Sequence, residues 1–334
     1  FLKKDIKPNK LYIKSEEFYK KNDIKVILNK KVESIVKQEK YIILDDGSKV
    51  FFEKLVLATG SLINTLPIEI DNSNVHYLRN IEDALRLKDS FEDVDHITII
   101  GAGYIGLEVA ASLVYLGKNV TIIDMDKRVM SRSIDNNLSN FFYKKHMANG
   151  VKFLFNQSVL NIVSSQEDKT VISLSNGTKI ESDMVLVGIG VKPNFELAEN
   201  IGLDCNNGIR VDEYGMTSEK DIYATGDCAN HLNPILKKQL RLESVQNCVE
   251  LSNTIAMHIC GIPESYSKVP WFWSEQYNIK LQIAGLFDGY EKQLIRGDIV
   301  KEKFAIYFQK NEKLISVHCV NSPKDFLLGK KLIN

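Results

Sequence analysis

His96-Ile97-Thr98-Ile99-Ile100-Gly101-Ala102-Gly103-Tyr104-Ile105-Gly106 is the stretch on which the reading of this chain turns. An apolar strand runs into Gly-x-Gly-x-x-Gly, and a helix-like run follows from Leu107 to Leu116. Gly117 ends that helix, Val120-Thr121-Ile122-Ile123 is the next strand, and Asp124 closes it 23 residues after Gly101. Strand, glycines, helix and acid at these spacings predict a dinucleotide-binding βαβ unit; the glycines alone carry little weight. Gly101 permits the tight turn, Gly103 lets backbone approach a pyrophosphate, and Gly106 allows close helix–strand packing. Ile105, inside the motif, is counted with the binding residues. The helix N-terminus offers unpaired N–H groups and a positive dipole end to phosphate.

Asp124 would accept hydrogen bonds from the adenosine ribose hydroxyls. That favours NADH, because a 2′-phosphate would face a carboxylate; Lys127 and Arg128 keep NADPH as the alternative. Glu108, two residues past Gly106, has two readings. It is a charge favoured by the helix dipole, or a carboxylate near the nicotinamide, and the residues alone do not separate them.

Working outward, one pattern occurs twice. Asp45-Asp46-Gly47-Ser48-Lys49-Val50 leads to Leu55-Val56-Leu57-Ala58-Thr59-Gly60. Ser175-Asn176-Gly177-Thr178-Lys179-Ile180 leads to Met184-Val185-Leu186-Val187-Gly188-Ile189-Gly190. Each is a tight-turn hairpin followed by an apolar strand ending in glycine, and Gly190 joins the nucleotide-binding residues. Gly101 lies 76 residues before Gly177. The same offset from Gly47 falls ahead of Phe1. The chain therefore reads as two similar dinucleotide-binding halves, the first without its opening βαβ unit.

The 334 residues suffice for two or three domains. Apolar content of 44%, charged content of 26% and zero formal net charge are those of an ordinary globular chain. They give no reason to expect nucleic acid or an anionic membrane. No apolar run reaches the length of a membrane span. Phe1-Leu2-Lys3-Lys4 is neither an initiator Met nor a signal peptide. Five scattered cysteines lack a Cys-x-x-Cys pair and suit no zinc site, so reduced thiols and a cytoplasmic location are expected.

Ile222-Tyr223-Ala224-Thr225-Gly226-Asp227 is a short strand ending in Gly-Asp, at the end where α/β sheets bind ligands. Asp227 is either an ordinary turn acid or a carboxylate for a sugar-like hydroxyl. The segment resembles the second flavin motif of the two-dinucleotide-binding flavoproteins, and Ala58-Thr59-Gly60 resembles their crossover motif. Arg241-Leu242-Glu243-Ser244-Val245-Gln246-Asn247 and Val269-Pro270-Trp271-Phe272-Trp273-Ser274-Glu275-Gln276-Tyr277 narrow the likeness. By these segments the chain is identified as a member of the bacterial FAD- and NAD(P)H-dependent ferredoxin reductases, from Phe1 to about Ile333.

The resemblance implies two Rossmann-like α/β domains, for FAD and NAD, plus a small α/β C-terminal domain. It places Asp227 on the ribityl chain of FAD, the backbone of Val32 at the adenine, Val245 and Trp273 against the flavin, and Glu108 near the nicotinamide. Read without it, Trp271 and Trp273 are core residues. It implies a hydride from NADH, taken up by the flavin and released as single electrons to a [2Fe-2S] ferredoxin that serves an oxygenase. Alternatives are another acceptor (rubredoxin, oxygen, a nitrite reductase partner) or a redox signalling protein like apoptosis-inducing factor. A monomer or weak dimer is expected, and Lys237, Lys238 and Arg241 form a basic cluster that is either a ferredoxin-steering patch or a solvated loop. The family has arginine after Ala-Thr-Gly, where this chain has Ser61-Leu62-Ile63-Asn64. With the first half shortened as well, weak or absent FAD binding is expected of residues 1–334 alone.

The expected division is residues 1–67 and 192–265 for the FAD domain, 68–191 for the NAD domain and 266–334 for the C-terminal domain. Ser15 to Asn22, Asp135 to Asn149 and Glu243 to Cys260 read as helices. Ile24 to Leu28 and Val32 to Lys37 read as strands. Runs at 279–286, 291–296, 304–308 and 314–320 read as antiparallel strands, with a helix after Pro323.

Overall fold

The architecture is that of a computed structural model, which describes residues 8–71, 74–165 and 169–333. The opening Phe1-Leu2-Lys3-Lys4 lies outside the described residues. The chain divides into two compact units.

One unit contains Ile63–Val191 and Trp273–Ile333. Its centre is a five-stranded sheet in the order Lys152–Leu154, Asn119–Ile123, His96–Ile100, Met184–Val187, Val75–Tyr77. Every neighbouring pair is parallel. Such strands are covered on both faces, which is why Ile97, Ile99, Val120, Ile122, Met184 and Leu186 are buried in one cluster and Ile100, Ile123, Val185 and Val187 in another. The helix Tyr104–Tyr115 makes the first crossover and Asn136–Ala148 the second. Asp135 caps the latter by accepting the N–H groups of Asn137 and Leu138. The Asn176-Gly177 hairpin joins Thr170–Leu174 to Lys179–Ser182, with Gly177 at φ 85°.

A second five-stranded sheet, in this unit from Trp273 onward, is ordered Trp271–Gln276, Ile279–Gly285, Lys313–Val320, Lys303–Lys310, Lys292–Asp298, and closed by the helix Pro323–Leu332. Its antiparallel register matches the alternation read from sequence. Ile279, Leu281, Phe304, Ile306 and Phe308 join Leu107, Leu113, Leu138 and Phe142 in one continuous core.

The other unit contains residues 8–62 and Lys192–Phe272. The hairpin around Gly47 joins Tyr41–Leu44 to Lys49–Phe51, and Val32–Val36 pairs alongside. Leu55–Leu57 pairs in parallel with Ile222–Ala224. The helix Val245–Ile259 is capped by Ser244, and Gly261 follows at φ 78°, the left-handed geometry that ends helices. Ile35, Leu57, Ile222, Ala224, Leu251 and Tyr266 form this unit's core.

One expected strand is absent. Ile24–Leu28 has no ladder, although Ser15–Asn22 before it is the expected helix Glu16–Lys21 with its caps. Ile24, Val26, Ile27 and Leu28 are exposed. Apolar content does not make a strand; a neighbouring edge must supply N–H and C=O groups, and none of the described sheets includes this segment. Conversely, Trp271–Gln276 is a strand, although its sequence shows a motif and no strand pattern.

Asp221 ties the flavin-motif segment to the first hairpin. Its carboxylate pairs with Lys40 at 2.7 Å and with Lys54, and its carbonyl accepts the Leu55 N–H at 2.9 Å. The two ammonium groups pull its carboxyl down to about 2. An unfolded aspartate takes up its proton near pH 4, so the stabilisation is full above that value and is lost as pH falls towards 2. Asn tolerates the left-handed backbone found here, φ 69°. Asp221→Asn is therefore expected to lower the urea midpoint at pH 7, and its gap from the parent should close between pH 4 and pH 2. An equal gap at both ends of that range would count against the ion pairs as the cause.

Candidate functional site

The glycine motif is shaped by what a side chain would strike. Gly101 has φ 110°, and a Cβ there would stand 2.4 Å from the carbonyl oxygen of Gly188. Gly106 lies inside the helix, where a Cβ would stand 2.1 Å from the carbonyl oxygen of Gly101. Both glycines are thus required by packing between strand, helix and neighbouring strand. Gly103 is different: it is exposed, and a Cβ on it would meet nothing within 4 Å. It is the N-cap of the helix Tyr104–Tyr115 and supplies no side-chain cap. A helix start has backbone N–H groups with no acceptor inside the helix, and an anion at this turn would pair with them, so the segment fits a dinucleotide pyrophosphate. Ile105, on the first turn, is 45% exposed.

Asp124 stands just past the strand Asn119–Ile123. Its oxygens accept the N–H groups of Ala102 and of Asp126, the latter at 2.7 Å. The carboxylate is thereby held beside the glycine turn. Arg128 is engaged within its own loop, donating to the carbonyls of Ile134 and Ser131 at 2.8 and 2.5 Å. Asp126 accepts from the Ser131 hydroxyl. Gly190 has φ 92°, and its missing Cβ position lies 3.6 Å from the Arg132 guanidinium and from the Asn64 amide nitrogen. Arg132 carries no signal in the sequence, since a single Arg in a loop makes no pattern, and Asn64 marks only a departure from the family's arginine.

Glu108 is half-buried on the same helix, and its Oε1 accepts the Ser274 hydroxyl at 2.6 Å. Trp273, also half-buried, precedes that serine, so alternation turns its ring to the other face of the strand. Ser274 belongs to the Pro-Trp-Phe-Trp-Ser motif, and its partner lies 166 residues away.

The remaining predicted residues lie in the other unit. Leu57 and Ala224 are partners in parallel strands, so Ala58-Thr59-Gly60 and Gly226-Asp227 leave at the same, carboxyl end. Ser61 donates its hydroxyl to Asp227 Oδ2 at 3.1 Å, and Cys248 Sγ lies 3.9 Å from Oδ1. Burial, followed by the Asp227 charge, raises the Cys248 thiol above its ordinary value and keeps it protonated. Thr59 donates to the Asn194 carbonyl at 2.5 Å, and the Asn194 N–H donates to Gly60 at 2.9 Å. A half-buried carboxylate at the end of parallel strands fits the polyhydroxyl chain of a flavin nucleotide. Val245, first in its helix, is 60% exposed. Val32 lies on a different sheet, opposite Leu44. Of the basic cluster, Lys237 and Lys238 are exposed. Arg241 is turned inward, onto Glu243 at 2.6 Å and the Asp227 carbonyl at 3.4 Å.

A parallel sheet with a glycine-lined helix N-terminus and an acid on the next strand, in a chain whose other unit carries a carboxylate at the end of parallel strands, defines a dinucleotide-binding α/β oxidoreductase. Residues 3–251 match the family described as pyridine nucleotide-disulphide oxidoreductase, and residues 271–334 match the reductase C-terminal family. The chain belongs to the pyridine nucleotide-disulphide oxidoreductases, in the group of bacterial ferredoxin reductases. Rhodocoxin reductase of Rhodococcus erythropolis is 35% identical over the whole chain, which covers 78% of that protein. The ferredoxin reductase for the CYP199A2 system of Rhodopseudomonas palustris superposes with a TM-score of 0.95 at 33% identity, over 99% of this chain and 82% of that one. Putidaredoxin reductase, solved in covalent complex with putidaredoxin, gives 0.94 at 33% identity, over 99% and 81%. The family implies FAD and NAD(P)H as cofactors.

The glycines separate binding from folding. Gly106→Ala is expected to cost about 1–3 kcal/mol of stability through overpacking. Gly103→Ala should stay within about 0.5 kcal/mol of the parent yet lose most NAD⁺ affinity. Urea denaturation beside calorimetric NAD⁺ titration checks both, and undiminished affinity in Gly103→Ala would remove the pyrophosphate from this turn.

Proposed function

We propose that this protein carries electrons from NADH, by way of FAD, to a small iron–sulfur protein of ferredoxin type that serves an oxygenase. The observation that supports this most directly is the pairing of the Asp124 and Asp227 sites, each a carboxylate at the carboxyl end of parallel strands. The kinship with ferredoxin reductases gives the direction of flow. When bound, FAD supplies the exchange between a hydride and single electrons.

The chain's own residues bind and orient. Gly103 and the helix behind it receive the pyrophosphate, and Asp124 receives the ribose hydroxyls. Asp227, with Ser61, holds the ribityl chain, and Ala58, Thr59 and Gly60 shape the adjoining turn. Val245 and Trp273 offer apolar surface to the flavin ring, and Glu108 faces the nicotinamide. NADH is favoured over NADPH because the loop after Asp124 presents Asp126 as a second carboxylate and uses Arg128 internally.

The test is steady-state reduction of a [2Fe-2S] ferredoxin by the FAD-loaded protein, with rubredoxin and oxygen as rival acceptors. NADH-driven ferredoxin reduction is expected; reduction of rubredoxin or oxygen alone would overturn the acceptor class. Asp124→Ala removes charge-assisted hydrogen bonds of about 1.5–3 kcal/mol. It should lower kcat/KM for NADH by roughly tenfold to a hundredfold and narrow the NADH-to-NADPH ratio. A ratio that does not move would assign the preference elsewhere.

A further inference from the structure

Behind Glu108 runs a line of buried polar groups that the motifs do not account for. Ser274, Gln276 and His146 are each at most 1% exposed. Ser274 and Gln276 are two apart on the strand Trp271–Gln276 and so share a face. His146 comes from the last turn of the helix Asn136–Ala148. The contacts are Glu108 Oε1 to Ser274 Oγ at 2.6 Å, Ser274 Oγ to Gln276 Nε2 at 3.1 Å, Gln276 Oε1 to His146 Nε2 at 2.9 Å, and His146 Nδ1 to the Tyr277 hydroxyl at 3.0 Å.

The donors in this line fall in one order. An ionised carboxylate only accepts, so the single Ser274 proton goes to Glu108. Ser274 must then accept from the Gln276 amide, which turns the Gln276 oxygen to His146. His146 Nε2 must carry the proton, and Nδ1, left as the acceptor, takes the Tyr277 hydroxyl. A charged imidazole would have no acceptor left for that hydroxyl. Burial agrees, since it holds His146 down to about 4 and hence neutral at pH 7. Every donor points towards Glu108, and each buried polar atom along the line is matched.

We propose that Ser274, Gln276 and His146 are positioning residues: a one-way hydrogen-bond chain that fixes the Glu108 carboxylate in orientation at the nucleotide face and so sets how tightly the nicotinamide is held. The inference rests on the reading of Glu108 as the nicotinamide-facing carboxylate. A scaffold of ordinary core polar groups would need neither the uniform donor direction nor an end on that particular side chain. Ser274 and Gln276 would act through Glu108 without touching the nucleotide.

Two measurements on the FAD-loaded protein test this. The first is calorimetric NAD⁺ binding to Ser274→Ala, Glu108→Gln and the double variant. Ser274→Ala should weaken binding about tenfold, as expected for a lost hydrogen bond to a charged group. The double variant should bind no more weakly than Glu108→Gln, because a serine with no carboxylate to aim has nothing left to contribute. Losses that multiply in the double variant would overturn the proposal. The second is ¹⁵N NMR of the His146 ring in the unsubstituted protein, which keeps the idea testable should Ser274→Ala fold poorly. The Nε2–H tautomer is expected, and Nδ1–H would overturn the chain. Failure of the underlying reading looks different: Glu108→Gln alone would leave NAD⁺ affinity unchanged while the Nε2–H tautomer persisted, and the proposal would fall with its target.

Discussion

Everything at the nucleotide end of this protein depends on how closely three pieces of backbone approach one another. The carbonyl of Gly188 occupies the place a Gly101 side chain would need, and the carbonyl of Gly101 occupies the place a Gly106 side chain would need. Strand, turn, helix and neighbouring strand are thereby keyed together at van der Waals distance. With that key in place the helix Tyr104–Tyr115 starts at Gly103, and Asp124 can reach back to the Ala102 N–H. The position of Glu108, one and a half turns on, follows from the same registration.

The second unit solves its own version of the problem with charge and hydroxyls. Two short parallel strands end in Ala58-Thr59-Gly60 and Gly226-Asp227, and a web of local bonds from Thr59, Ser61, Asn194 and Arg241 holds the two ends in place. Arg241 contributes by neutralising its neighbourhood at Glu243 and capping the Asp227 carbonyl. Its position in a basic run suggested a surface role; the packing gives it an internal one.

What could be read from the sequence was what is local. Hairpins at Gly47 and Gly177, the helices that follow Ser15 and Asp135, and the period-two runs after Ile279 all state their conformation within a few residues. The glycine turn and the acid after it were legible for the same reason, since their chemistry repeats at fixed spacing. Two kinds of feature were not. Ile24–Leu28 has a strand's composition, but a strand is a property of a pair, and composition carries no information about the partner. The line from Glu108 to His146 is built from contacts 166, 2 and 130 residues apart. Only the middle one has a spacing that any local pattern could reveal.

The shared core of the first unit has a further consequence. Phe304, Ile306 and Phe308 of the last sheet are interleaved with Leu138 and Phe142 beneath the nucleotide-binding sheet. The C-terminal segment thus shares its interior with the sheet that carries the glycine motif. Grafting that segment from a relative to alter acceptor choice would change the interior of the cofactor domain along with its exterior. A successful chimaera would have to carry the helix Asn136–Ala148 with it, so the natural cassette for recombination is discontinuous in the gene.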